Sequence, residues 1–499
     1  MRLAAIVLAL LTILPFAAAE DTPPKFLIIV VDGLRPDYIT PEVMPALHRL
    51  GDAGVFFENH HSVIPTVTRV NSSSFSTGSY PESHGIMGNS VYFPNVNPDK
   101  ALSTSDYENL AKIREAEGGR LLTATTLGET LVAAGKTFVA VSSGSTGSAF
   151  LLNSTVSGGG VIHPDLILPK SQETHVRQMV GPVPEDSLPA TALMAWAVDA
   201  YIKIAREEMN ADVAFLWLTD PDHTAHPQGM GAPLTVESLR AADAQIARIL
   251  DAHEGLGLSH QINVMVTSDH GFSTHIGGFN LFATLTREGL QGGVHIADGA
   301  IYVDQHDKDR IQRIVEALQL DPAVGPIFTA PSGPKSLEGV NGTLAFWTLR
   351  WQHARSADIL AFPAWNENKN AAGFAGQTTY GGVAGHGSTS PFDIHNTLLA
   401  SGPSFKTKLR NTVPSANPDV APTVLHVLGI AAPETMTGRP LNEALVNGPD
   451  PANVPVESLS YSVKRVLQDA GGRDVTYQCS VSGVTVDGRF YIDQASTTR

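Results

Sequence analysis

INVMVTSDHGF, residues 262–272, passes from an apolar, β-rich run into Asp269-His270-Gly271, and the fold turns on how that passage is read. A carboxylate and an imidazole at neighbouring positions point apart on a regular strand. They converge where the strand breaks into a loop, a break that Gly271 is expected to supply. The same pair also suits a turn or a helix cap, so partner ligands elsewhere in the chain must decide.

Such partners end other strand-like runs. FLIIVV, residues 26–31, is apolar at every position, as expected for a strand buried on both faces, and it leads into Asp32-Gly33. VAFLWLT, residues 213–219, leads into Asp220-Pro221-Asp222-His223-Thr224-Ala225-His226, and the glycine-rich loop 381–387 carries His386. Most of these candidates fall where a parallel sheet presents its carboxyl edge, which is where open α/β sheets place active sites.

The remaining pattern predicts an α/β fold with a mostly parallel central sheet flanked by helices. Residues 188–209 read as a helix with Ser187 as N-cap and Pro189 in its first turn, and residues 235–252 as another. The core spans 20–271 and resumes over 381–448, with a strand at 396–401 and a helix at 420–428. Between them, 272–380 reads as a smaller α/β insertion that walls the site, with strands at 300–303 and 359–362 and a helix near 309–318. Residues 142–160 read as a Gly/Ser-rich loop. The extension 449–499 ends in a hairpin around Asp487-Gly488, and Cys479 is expected to pack inside a strand where Tyr477, Cys479 and Val481 alternate with Gln478 and Ser480.

At 499 residues, 42% hydrophobic and 16% charged, the chain can bury a large core. Arg2, the apolar stretch 3–16 and Ala17-Ala18-Ala19 read as a signal peptide over 1–19, which predicts a periplasmic or secreted protein. No other stretch is long enough for a membrane span. The net charge of −16 argues against a nucleic-acid duplex as partner, and the single cysteine excludes an internal disulfide.

Asp222 and His226 stand four apart, so one helical turn sets both on one side, and His386 completes a three-ligand site with an open position. Asp32, Asp269 and His270 make a second triplet. Carboxylate and imidazole donors without thiolates suit zinc, and two metals about 4 Å apart can stabilise both oxygens of an in-line phosphoryl displacement. The segment IPTVTRVNSSSFSTGSYPESHGIMGN, residues 64–89, offers a nucleophile: Thr68 stands at a predicted helix start where backbone N–H groups are free. Thr68 also suits a plain N-cap, and only context selects it over Thr66. Arg69 is expected to point into solvent rather than at a substrate phosphate. His60-His61 suits a pocket wall or a surface equally, and His84 is expected to be structural.

The strings VVDGLRPDY, PTVTRVNSSSFSTGSYPESHGIMGN, TDPDHTAH, TSDHGF and GHGS together resemble the ordered motifs of the alkaline phosphatase superfamily, most closely its type I phosphodiesterase/nucleotide pyrophosphatase branch. The resemblance spans residues 24–445. It implies an alkaline-phosphatase-like fold and two Zn2+ ions, one held by Asp32, Thr68, Asp269 and His270, the other by Asp222, His226 and His386. It further implies Thr68 as covalent nucleophile, Asn71 as donor to a phosphoryl oxygen, and hydrolysis of phosphate diesters or pyrophosphates of nucleotide type through a phosphothreonine. Arg69-Val70 departs from the aromatic-proline pair common in that branch, and Ala225 from its usual glycine; both changes spare the ligands. A phosphate monoesterase or phosphonate hydrolase on the same site is the alternative. The segment 141–169, expected to wall the pocket, has no Lys or Arg to clamp a monoester, which favours diesters. A non-catalytic metal-binding module has no use for a hydroxyl at a helix start.

Overall fold

In this computed structural model, which describes residues 24–499, β1 (Lys25–Val31) runs through the centre of a nine-stranded sheet. Its side chains alternate between two cores: Phe26, Ile28 and Val30 enter one, Leu27, Ile29 and Val31 the other. A strand with no polar position fits only where both faces are covered. The other strands are β2 (Val55–Phe57), β3 (Phe138–Ser142), β4 (Gly160–His163), β5 (Leu166–Leu168), β6 (Val213–Leu218), β7 (Ile262–Thr267), β8 (Leu398–Ser401) and β9 (Leu409–Asn411), in the order β9-β2-β8-β7-β1-β6-β3-β4-β5. The five from β7 to β4 are parallel, while β5 and β8 run antiparallel to their neighbours. The expected signal segment, 1–19, lies outside the described residues.

Helices cover both faces. α1 (Thr68–Thr77) and α5 (Val420–Val427) lie on one, where Phe75, Val420 and Val424 join the core; α2 (Thr191–Ala200) and α4 (Pro233–Gly255) bring Met194, Ala197, Leu239 and Ile246 to the other. Each large aliphatic side chain so buried contributes about 1.5–3 kcal/mol. Between β6 and α4 lies the short α3 (Asp222–Gln228). Register brings the carboxylates together: β1 pairs Val30 with Thr267 of β7 and Val31 with Leu218 of β6, so Asp32 leaves the sheet level with Asp269 and with Thr219, one residue before Asp220.

Two expectations about helices need correction. The helix expected from residue 188 starts at Thr191, because Ser187 donates to the Pro189 carbonyl, 2.9 Å, instead of capping; the free Ala190 N–H is taken by Asp220 Oδ2, 2.7 Å. The loop 142–160 contains a helix, Thr146–Leu152, capped by Ser145 accepting from the Ser148 N–H.

A five-stranded sheet assembled from residues 294–363 packs with the C-terminal sheet, an antiparallel meander of Glu457–Gln468, Asp474–Val486 and Arg489–Thr498. The last two strands turn at Asp487-Gly488, both at positive φ, the geometry of a tight hairpin. Tyr477, Cys479 and Val481 are buried in the same core as Ile327 and Phe328, and the Tyr477 hydroxyl donates to the Gly325 carbonyl, 3.0 Å. No helix among the described residues is long and apolar enough to cross a membrane.

Candidate active site

At the carboxyl edge Asp32, Asp269 and His270 converge: His270 Nε2 lies 3.0 Å from Asp269 Oδ2 and 3.6 Å from Asp32 Oδ1. The turn is tightened by Gly33, whose N–H donates to Asp269 Oδ1, 3.1 Å, at φ +71°; a Cβ there would crowd Asp222 and Phe272. Gly271 matters for a different reason from the one expected. A Cβ on it would lie 2.0 Å from the Phe392 carbonyl oxygen, so it is close backbone packing that requires the glycine. Trp217 donates its indole N–H to Asp32 Oδ2, 3.0 Å, leaving Oδ1 to face the cluster.

The second group stands beside the first. One turn of α3 sets His226 Nε2 3.3 Å from Asp222 Oδ1, and His386 Nε2 reaches the same oxygen, also at 3.3 Å. The His270 and His386 rings stack with centroids 3.4 Å apart, so the two groups are contiguous. All three imidazoles are held alike: Nδ1 donates to a backbone carbonyl, of Gly271 for His270, Ala384 for His226 and Thr66 for His386, at 2.8–3.0 Å. Each Nε2 is thereby aimed into the cluster, the arrangement that outer-shell carbonyls give to metal-ligating histidines.

Three buried carboxylate oxygens, Asp32 Oδ1, Asp222 Oδ1 and Asp269 Oδ2, have no hydrogen-bond donor. Buried acceptors left bare are costly unless a cation sits among them. Tetrahedral donors at zinc-like bond lengths stand roughly 3.3 Å apart, and the Asp222 distances match that spacing. The donor set therefore fits divalent metal. Without one, the electrostatics are strained: burial and the neighbouring Asp269 and Asp222 push Asp32 well above the usual carboxylate range. Burial also raises Asp222, but His226 and His386 outweigh it and hold that carboxyl well below its ordinary value. Asp222 in turn lifts His226 to about 9, whereas burial drops His386 to about 4.

Thr68 is buried, with its hydroxyl 3.3 Å from His270 Nε2. The cap position of α1 belongs to Val67, so the Thr68 side chain is not consumed as an N-cap. Thr66 is excluded by its partners, since its hydroxyl donates to the Ser388 carbonyl, 2.8 Å, and accepts the Gly387 N–H, 3.1 Å. It fixes the His386 loop.

Asn71 lies elsewhere than expected. It is fully buried, its amide donating to the Val63 and Val67 carbonyls and accepting from Val63 N–H and Asn417 Nδ2, so it offers nothing to a ligand. A different amide, Asn89, lines the cleft with His226 and His386; its Oδ1 accepts the Arg69 N–H, 3.0 Å, leaving the Nδ2 donor for that cleft. Asn89 closes the quoted nucleophile segment, but only the fold brings it back to the start of α1.

Arg69 does not point into solvent. It lines a cleft of about 510 Å³ with Asp32, Asp222, Ser143, Ser145 and His163, and its buried Nε has no partner. Burial pulls its guanidinium below the usual range, against the attraction of Asp32, Asp222 and Asp269. On the other side of the cluster a cleft of about 710 Å³ is walled by Phe279, Leu281, Phe282 and Ile296 together with Asn89 and His386.

A profile of the type I phosphodiesterase/nucleotide pyrophosphatase family matches residues 26–362. Ectonucleotide pyrophosphatase/phosphodiesterase family member 1 of Homo sapiens is 26% identical over 256 residues, 51% of this chain and 24% of that protein. Bis(5'-adenosyl)-triphosphatase of Bos taurus is 26% identical over 260 residues, 51% of this chain and 49% of that protein. The chain thus spans a quarter to a half of the length of these curated relatives. Murine ectonucleotide pyrophosphatase/phosphodiesterase 5, solved as an inactive threonine-to-alanine variant with AMP, has a TM-score of 0.62 at 20% identity, covering 85% of this chain and 100% of that one. The human counterpart gives 0.61 at 20% identity over the same shares, so both have this fold. With more than half of its length matched, the chain belongs to the type I phosphodiesterase/nucleotide pyrophosphatase family.

Proposed function

We propose that the protein is an exported hydrolase of phosphate diesters or pyrophosphates of nucleotide type, working through a phosphothreonine at Thr68 and using two Zn2+ ions. The observation that carries this reading is the trio of donorless buried oxygens on Asp32, Asp222 and Asp269 facing a hydroxyl at a helix start. Asp32, Asp269, His270 and Thr68 would hold one ion and Asp222, His226 and His386 the other. When bound, the ions supply Lewis acidity, favouring loss of the threonine proton and neutralising the leaving oxygen.

The chain's own groups do the positioning. Thr68 Oγ1 attacks phosphorus and the P–O bond to the leaving group breaks; water then cleaves the phosphothreonine and restores the hydroxyl. The Asn89 amide, its Oδ1 held by the Arg69 N–H, offers its Nδ2 to the non-bridging oxygens, a donor placed where negative charge builds. The murine relative solved with AMP as an inactive threonine-to-alanine variant supports both the nucleophile and the substrate class. Thr68→Ala is expected to lower turnover of bis-p-nitrophenyl phosphate by at least about 10³-fold; a loss of less than about tenfold overturns the mechanism.

One observation favours a second reading, the phosphate monoesterase. Arg69 is a cation inside the site, suited to the extra charge of a monoester. Turnover of p-nitrophenyl phosphate above that of bis-p-nitrophenyl phosphate, lost in Arg69→Ala, would establish it in place of the diesterase.

A further inference from the structure

Next to the Asp269 loop, where the Ser62 hydroxyl donates to the Asp269 carbonyl, lies a second cluster of ligating side chains. His61 ends the two-residue strand His60–His61, His395 follows the short helix Pro391–Ile394, and Asp493 stands in the final strand, Arg489–Thr498. His61 Nε2 lies 2.9 Å and His395 Nε2 3.6 Å from the same oxygen, Asp493 Oδ1. The donor atoms of all three residues lie within 4.8 Å of one another. His60, by contrast, spends both ring nitrogens on the neutral partners Ser415 and Asn417.

We propose that His61, His395 and Asp493 form a further metal site, for zinc or another first-row divalent ion, which staples the C-terminal sheet to the core. The His61 tautomer is decisive. Its Nδ1 donates to the Ser415 carbonyl, 2.9 Å, and a carbonyl can only accept, so in the neutral ring Nε2 presents a lone pair to the carboxylate. Two electron-rich atoms at that separation need a positive charge between them. A proton on His61 would satisfy one imidazole alone, whereas His395 aims its own Nε2 at the same oxygen, with ring centroids 4.6 Å apart. One divalent ion serves all three donors.

Geometry agrees. The two nitrogen–oxygen separations bracket the roughly 3.3 Å expected between tetrahedral zinc donors. A backbone carbonyl orients His61 just as carbonyls orient His226, His270 and His386. With 30% and 35% of the His395 and Asp493 side chains exposed, an ion has a path in and water a place as fourth ligand. The loop that carries His386 does not depend on this ion: Thr389, three residues after His386, exchanges hydrogen bonds directly with Ala495, two residues after Asp493.

The test is metal stoichiometry of the full chain after dialysis against micromolar Zn2+, in the parent, Asp493→Asn and His395→Gln. Each variant is expected to hold one zinc fewer per chain than the parent and to lose part of the rise in Tm that added zinc gives, while bis-p-nitrophenyl phosphate turnover stays within about twofold. The comparison is by difference, so it does not depend on how many ions the catalytic cluster takes. Equal zinc content in parent and variants overturns the proposal and leaves a plain His61–Asp493 ion pair. Should Asp493→Asn fail to fold, His395→Gln, at the exposed edge of the cluster, decides alone.

Discussion

Asn71 and Asn89 carry the same amide and serve opposite ends. Asn71 lies at the start of α1, and the family resemblance implied it as the phosphoryl donor. Its amide instead ties the Val63–Val67 segment to Asn417. Asn89 reaches back to the Arg69 N–H through a contact that no local periodicity encodes. Asn89→Ala should therefore lower kcat by about 10²–10³-fold, the usual loss for a removed oxyanion donor, with urea-unfolding stability close to that of the parent. Asn71→Ala should do the reverse, costing about 1–3 kcal/mol of stability for the partners left unsatisfied. Equal kcat losses in the two variants would refute the assignment.

Strands were the most legible elements. β1, β6 and β7 are apolar runs bounded by acidic residues, and parallel pairing alone sets Asp32 beside Asp269. The Asp222–His226 spacing was legible for the same reason, since one helical period decides it. What escaped the sequence was supplied from far away: the start of α2 depends on Asp220, and the direction of Arg69 on a cleft built from several segments. Asp220 gives the clearest test at this scale. Fully buried, it accepts from Ala190 N–H at 2.7 Å, Thr224 N–H at 3.1 Å and the Thr224 hydroxyl at 2.7 Å, so a single carboxylate anchors the starts of α2 and α3. Asp220→Ala frees the helix that carries Asp222 and His226. Chelator competition should show one class of bound metal weakened by about 10–100-fold; unchanged affinity would mean that α3 is held by its packing alone.

At the scale of the whole molecule, stability should depend on pH through groups remote from the catalytic cluster, and His84 isolates one such term. It is fully buried between α1 and the segment around Thr123: its Nδ1 accepts the Ile86 N–H, 3.1 Å, its Nε2 donates to the Ser74 hydroxyl, 3.2 Å, and its carbonyl accepts the Thr123 N–H. This pattern uses the neutral ring, and burial, with His353 and Arg355 nearby, pushes His84 down to about 3. A histidine whose pKa is depressed by folding takes up its proton more readily when unfolded. Its contribution is complete above the unfolded value near 6.5 and is lost as pH falls from there towards 3. At pH 5 the loss amounts to about 2 kcal/mol. In His84→Asn, whose amide oxygen can replace the Nδ1 acceptor, that titration is gone while His60 and the other buried histidines remain. Urea unfolding at pH 7.5 and pH 5 should accordingly show a drop in stability about 2 kcal/mol smaller in the variant than in the parent. The same drop in both proteins would mean that His84 takes up its proton in the folded state.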